Sequence, residues 1–191
     1  RADLAATNQE WIVAFWHHPP YSKGSHDSDA EAVIASVRQN ILPVLESNGV
    51  DLVLCGHSHS YERSFLLDGH YGMSNTLTAA MVLDGGNGQL GGGGAYLKPA
   101  LPGTPNAGAV YVVAGSSGRI RTGTLDHPVM VTSLMTLGSV ILEVNRNRLD
   151  ATFLDDLGAN RDWFSIWKGT PVPPPRTIAL AAVAVSDSQI D

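Results

Sequence analysis

Two clusters of histidine, each placed directly after an apolar run, constrain the fold and the function of this chain more than any other feature. The first cluster begins at His17, after the run WIVAFW, and the second begins at His57, after the run DLVLC. Short apolar runs that are rich in β-branched or aromatic residues predict buried strands. Functional side chains are expected where such strands end in an α/β fold, so the two clusters mark a candidate site.

The segment between the two runs has helical periodicity. From Asp29 onward apolar residues recur at helical spacing, and Ser28 or Asp29 is suited to cap the helix. Pro43 either kinks this helix or begins a second short one, and Asn48-Gly49 predicts the end of the helical region. Strand, helix and strand in this order form the βαβ pattern of an α/β sandwich. The apolar positions are Ala30, Val33, Ile34, Val37 and Ile41.

The remainder of the chain predicts a β-rich second layer. Residues 109–114, 139–144 and 149–154 have the composition of strands, and the glycine-rich residues 84–94 must form a loop. Residues 170–191 begin with a proline-rich stretch and are predicted to be a linker or tail. The predicted domain therefore comprises residues 1–169.

Composition excludes several classes of function. Eighteen acidic and twelve basic side chains give a net charge of -6 and an isoelectric point near 5.5, so the chain repels polyanions and is not a general nucleic-acid binder. An anionic substrate would need a strong local cation, and bound metal ions usually supply one. No apolar stretch is long enough to predict a membrane span. The single cysteine, Cys55, lies in an apolar run, where a small buried residue is the ordinary interpretation.

Four segments carry a resemblance to a known family. Residues 56–64 (GHSHSYERS) resemble the GHxH-x-YER pattern of purple acid phosphatases, within the calcineurin-like metallophosphoesterases, and residues 17–21 (HHPPY) resemble their HxPxY segment. Residues 115–118 (GSSG) and 158–168 resemble the glycine turn and the closing G-x-x-x-D-x-F-x-I segment of the same proteins. The resemblance extends roughly from residue 11 to residue 168.

The resemblance implies a metallophosphoesterase-type α/β sandwich, two β-sheets flanked by helices. It also implies hydrolysis of small-molecule phosphate esters by a dinuclear metal centre that activates water, with iron paired with zinc, manganese or a second iron. The family's early motifs, an Asp, GDxxY and GNH or GNE, do not occur in the sequence. We therefore expect only the C-terminal half of the catalytic domain, inactive alone, with the missing N-terminal half as its partner. The family further implies a secreted or periplasmic location.

Individual roles follow from the resemblance residue by residue. His17 and His57 correspond to ligands of the divalent metal, and His59 corresponds to a ligand of the neighbouring, usually ferric, ion. His26 occupies the position of an outer-shell catalytic histidine that holds substrate phosphate or assists the leaving group. Asp27 stands where many plant members have a second histidine, so the identity of the proton donor stays open.

Three other histidines receive lesser roles. His18 is expected to be a neighbour or an outer-shell group of the metal ligands. His70 and His127 are isolated in predicted loops, and we expect both at the surface.

Four further motif residues are expected to support the site. Tyr21 and Tyr61 are expected to form walls of the site, and Glu62 and Arg63 to brace the motif's loop by ion pairing rather than to contact substrate.

Two other functions remain open at this point. One is a phosphodiesterase or nucleotidase of the wider calcineurin-like superfamily, which the YER continuation disfavours. The other is a non-catalytic module that keeps the fold without its metals, and the joint presence of His17, His57 and His59 argues against it.

Overall fold

A computed structural model of the chain describes residues 1–170, so the predicted tail lies outside the described residues apart from Thr170. The described part contains three α-helices, eleven β-strands and two short 3-10 turns, Ser74–Thr76 and Ala79–Met81. The helices are α1 (Ala2–Ala6), α2 (Ala32–Asn40) and α3 (Leu42–Glu46). The strands are β1 (Val13–Trp16), β2 (Leu52–Cys55), β3 (Tyr61–Ser64), β4 (Leu66–Leu67), β5 (Val82–Asp84), β6 (Tyr96–Lys98), β7 (Val110–Ala114), β8 (Met130–Leu134), β9 (Gly138–Asn145), β10 (Arg148–Asp155) and β11 (Asn160–Lys168).

Two sheets organise the fold. The first has the strand order β1-β2-β7-β3-β8, in which β1, β2 and β7 are parallel and β3 and β8 complete the sheet with antiparallel pairs. The second has the order β6-β11-β10-β9, in which only β6 pairs in parallel. Strands β4 and β5 form a separate two-stranded ladder. Strands β1 and β2 are parallel neighbours with α2 and α3 between them in sequence, which is the βαβ order that the sequence predicts.

Two apolar cores hold these layers together. One fills the space between the sheets, where alternate residues of β10 such as Leu149 and Phe153 face the first sheet. The other joins the opposite face of the first sheet to α3 through Leu42 and Leu45, which pack in the cluster of Val53. Two packed sheets with helices on one outer face confirm the predicted α/β sandwich for the described residues.

Arg63 and Asp162 clamp the two sheets together. Arg63 lies on β3 and Asp162 on β11, and their side chains are 0% and 3% exposed. Asp162 Oδ2 accepts hydrogen bonds from Arg63 Nε at 2.6 Å and from the Tyr61 hydroxyl at 2.7 Å, and Asp162 Oδ1 accepts one from Arg63 Nη2 at 2.9 Å. The YER residues and the closing segment are therefore joined by a buried ion pair.

Two local predictions were wrong. Strand β1 is not buried throughout, because within the described residues it pairs only with β2 and forms an edge of the sheet, leaving Phe15 81% exposed. Helix α2 begins at Ala32 with Glu31 as N-cap, not at Ser28 or Asp29. The Asp29 carboxylate instead accepts hydrogen bonds from Ser74, which holds it away from a capping position. A separate short helix, α3, does form, with Pro43 in its first turn.

Candidate metal centre

The two predicted histidine clusters meet at the carboxyl ends of adjacent parallel strands. His17 follows β1 and His57 follows Gly56 at the end of β2, and the Gly56 N–H donates to the His17 carbonyl oxygen at 3.0 Å. His57 has a backbone φ of 63°, in the left-handed region that residues with side chains seldom adopt. Such conformations occur preferentially at functional sites, where the surrounding structure maintains them.

Three imidazole rings lie around that of His57. His57 Nδ1 lies 3.1 Å from His17 Nε2, and the His57 ring centroid lies 4.4 Å from that of His18 and 3.8 Å from that of His26. The structure therefore brings together the predicted site residues His17, His26 and His57, and His18 lies with them.

Glu31 completes this cluster. Its Oε1 lies 2.7 Å from His26 Nδ1, and its Oε2 lies 3.6 Å from His57 Nε2. Ligand atoms of His26, Glu31 and His57 all fall within 4.8 Å of one another. The sequence interpretation missed Glu31, although a carboxylate five residues after His26 was a usable signal.

His59 lies beside this cluster on the same turn. Its N–H donates to Ser25 Oγ at 2.9 Å, and its carbonyl oxygen accepts from the Arg121 N–H at 3.1 Å. Its Nδ1 is buried without a hydrogen-bond partner in residues 1–170. Its sequence position, two residues after His57, keeps it at the same edge of the sheet.

The electrostatics favour neutral imidazoles, the form that binds metals. Burial, followed by the neighbouring His26 and His18, lowers the pKa of His57, and burial followed by Arg121 and Arg119 lowers the pKa of His59. His57 Nε2, like His59 Nδ1, is buried without a hydrogen-bond partner in the described part of the chain. Unpartnered buried nitrogens are costly unless a ligand satisfies them, so His59 Nδ1 is available to a metal ion. His57 Nε2 faces Glu31 Oε2 at 3.6 Å, which leaves His57 Nδ1 as the atom for a metal ion.

Glu62 fixes the loop that carries His26. The carboxylate is fully buried and accepts hydrogen bonds from the hydroxyls of Ser22 at 2.6 Å and Ser60 at 2.7 Å. It also accepts from the N–H groups of Lys23 at 3.0 Å and Gly24 at 3.1 Å. Glu62 thus braces the site as expected, but through neutral donors. The ion pair of Arg63 is formed with Asp162 instead.

The predicted positions of four aromatic residues were wrong. Tyr21 and Tyr61 are 0% and 1% exposed and belong to the cores instead of forming walls of the site. His70 and His127 are 0% and 2% exposed instead of lying at the surface. Tyr21 explains their burial, because its ring packs against both imidazoles and its hydroxyl donates to the His70 carbonyl. Burial lowers the pKa of His127 to about 4.

Cys55 is buried as predicted. It is 5% exposed, forms no disulfide, and burial raises the pKa of its thiol. A thiol of this kind is a poor nucleophile. Among residues 1–170, no helix has the length and apolar character needed to cross a membrane.

Comparison with known proteins agrees with this geometry. The family model for calcineurin-like phosphoesterases matches residues 2–61, which include the site residues His17, His26, Glu31, His57 and His59. The solved structure of purple acid phosphatase PPD1 from yellow lupin (Lupinus luteus) seeds superposes with a TM-score of 0.64 at 17% identity, over 94% of this chain and 30% of that one. The chain resembles purple acid phosphatases. The resemblance inferred from the motifs is thereby confirmed, and this chain shares its fold with part of that purple acid phosphatase.

Sequence relatives point the same way. Purple acid phosphatase 18 of Arabidopsis thaliana is 34% identical over 68 residues, 34% of this chain and 15% of that protein. An uncharacterized protein of Mycobacterium tuberculosis is 33% identical over 111 residues, 52% of this chain and 20% of that protein. The chain thus spans about a fifth or less of the length of these curated relatives.

Proposed function

We propose that this chain supplies the histidine side of a metal centre that hydrolyses small-molecule phosphate esters, as an acid phosphatase does. The observation that carries the proposal is the approach of His17 Nε2 to His57 Nδ1, 3.1 Å, at the ends of two parallel strands. Two imidazole nitrogens on one tetrahedral zinc ion lie about 3.3 Å apart, given bond lengths of about 2.0–2.1 Å. The similarity to calcineurin-like phosphoesterases supports the same reaction class.

Three histidines of the chain are assigned to metal binding in this reaction. His17 and His57 would hold the divalent ion, and His59 would bind a neighbouring ion, with iron beside zinc, manganese or iron as the expected metals. When bound, such a pair of ions orients the phosphoryl group and lowers the pKa of a water molecule to about 7.

His26 is suited to move a proton. Glu31 holds its Nδ1 at 2.7 Å, which orients the ring and leaves Nε2 as the atom that donates to a leaving group. Asp27, whose position left the donor open, instead pairs with Lys23 at 2.6 Å. We therefore assign the proton donor to His26.

A second metal ion needs bridging carboxylates, and the described residues place too few carboxylates at the site. Two ions about 3.5–4 Å apart repel strongly unless anionic oxygens bridge them. Glu31 is the one carboxylate of the three-residue cluster found in residues 1–170. We propose that the bridging carboxylates come from an N-terminal half of the same domain, that this chain alone is inactive, and that the active protein is secreted or periplasmic.

The test of this function is hydrolysis of p-nitrophenyl phosphate by the parent protein, before and after dialysis against a chelator. We expect activity to disappear and to return when metal is added. Activity that persists after verified removal of the metal would contradict the proposal.

Substitution tests the ligand assignment. His57→Ala and His59→Ala should each reduce turnover by several orders of magnitude, because loss of a ligand removes several kcal/mol of charge stabilisation. Gln39→Ala, on the exposed side of α2, is the matched control, since His70→Ala would open a cavity in the core. Equal turnover in His57→Ala and Gln39→Ala would refute the assignment.

A further inference from the structure

The loop that follows β7 passes directly over the histidine site. Arg121 donates its N–H to the His59 carbonyl oxygen at 3.1 Å, and Leu125 donates its N–H to the Lys23 carbonyl oxygen at 2.8 Å. Between them Gly123 packs so closely that a Cβ there would lie 1.8 Å from the Gly24 carbonyl oxygen. The loop is therefore held in place against both segments that carry site residues.

This loop carries two exposed arginines, Arg119 and Arg121. Neither forms an ion pair with an acidic side chain within residues 1–170, whereas Lys23, which the loop contacts through its carbonyl oxygen, is paired with Asp27 at 2.6 Å and Asp29 at 3.1 Å. Arg121 is hydrogen-bonded to His59 through its backbone, and Arg119 lies two residues before it on the same loop. In a chain of net charge -6, they form a local positive patch beside the site.

We propose that Arg119 and Arg121 form an anion subsite at the rim of the metal centre, which selects phosphate esters whose leaving group carries a second anionic group. This inference rests on the proposed phosphoesterase function. The guanidinium groups are separate from the histidines that would hold the reacting phosphoryl group, so they meet the part of the substrate that extends toward the loop. Planar guanidinium groups bind phosphate and carboxylate oxygens through two hydrogen bonds at once.

The loop's own acid does not occupy this subsite. Asp126 accepts a hydrogen bond from the Thr124 hydroxyl, at the end of the loop away from the two arginines. The two guanidinium groups are thus free to meet a ligand, and the fixed backbone at Arg121 limits how far the charges move.

Kinetics with two substrates test the subsite. The leaving group of pyrophosphate is a phosphate, which carries a second anionic group. The leaving group of p-nitrophenyl phosphate is p-nitrophenolate, which carries none. In the active protein, Arg119→Gln combined with Arg121→Gln should lower kcat/KM for pyrophosphate by about tenfold or more, because charge-assisted hydrogen bonds are lost. The value for p-nitrophenyl phosphate should stay within about twofold. Arg161→Gln, an exposed arginine on β11 with a distant partner at 3.9 Å, is the control. Equal losses on both substrates, or none, would overturn the inference.

A binding experiment on the full chain tests the anion subsite independently of the proposed phosphoesterase function. Arginine Nε–H signals are followed by NMR while inorganic pyrophosphate is added at constant ionic strength. The signals of Arg119 and Arg121 should shift and that of Arg161 should not. No shift, or equal shifts at all three, overturns the subsite whatever the activity. If the intact parent protein hydrolyses neither substrate while this chain shows the selective shift, the proposed function is refuted and the subsite stands.

Discussion

The substitution Asp162→Asn tests the clamp between the two sheets. The Asp162 carboxylate accepts two hydrogen bonds from Arg63 and one from Tyr61 at 2.6–2.9 Å, and a longer one from Gln89 at 3.4 Å. An asparagine at this position keeps one acceptor oxygen, turns an NH2 group toward the guanidinium, and leaves a buried charge without its counter-ion. Removing one partner of a buried ion pair typically costs about 3–5 kcal/mol. That is a large share of the roughly 5–15 kcal/mol that stabilises a domain.

Urea denaturation, followed by tryptophan fluorescence and circular dichroism, measures this loss. With a slope of about 2 kcal/mol per M, we expect the midpoint to fall by about 1.5–2.5 M. Asp150→Asn is the matched control, because Asp150 pairs with Arg148 at 2.7 Å on the same sheet but with side chains 25% and 32% exposed. The free energy of unfolding of Asp150→Asn should fall by less than about 1 kcal/mol. Equal midpoints for the two variants would refute the reasoning.

Three further predictions concern buried groups. Stability should fall by about 3 kcal/mol between pH 6.5 and 4 through His127, since burial lowers its pKa to about 4 and the unfolded chain binds the proton first. His127→Asn, which keeps an acceptor for the Val129 N–H, should flatten the pH dependence of the urea midpoint. Glu62→Gln should weaken binding of Mn²⁺ by about tenfold or more in calorimetry, because the turn that carries His59 loses the charged acceptor of the Ser60 hydroxyl. Cys55 should resist a thiol reagent in the native chain and react in urea, because burial raises the pKa of its thiol.

Periodicity and motif spacing predicted the sandwich and the meeting of the histidines. The run that contains Val53 and Cys55 became the buried strand β2, and the runs that contain Leu149 and Val112 became strands of the two sheets. These runs are specified locally, since their composition alone favours strands. His57 followed from the same reasoning, because it lies directly after such a strand.

Other features depended on contacts far apart in the sequence. Tyr61 was expected at the wall of the site, yet β3 inserts between β7 and β8 and turns its ring into the core. His70 and His127 are buried because Tyr21 packs between them, which no spacing reveals. Phe15 would be buried if another strand paired with the free edge of β1, and it is exposed where none does. An apolar sequence predicts a buried strand in both situations.

The central claim, that the histidine cluster binds metal, is tested most directly by titrating the chain with Zn²⁺ while the imidazole nitrogens are followed by NMR. We expect one weakly bound ion per chain, with shifts at His17 and His57 and none at the buried His70 and His127. Shifts confined to His70 or His127, or no binding at all, would contradict the claim. Two tightly held ions with turnover would show that the chain contains ligands beyond those assigned here.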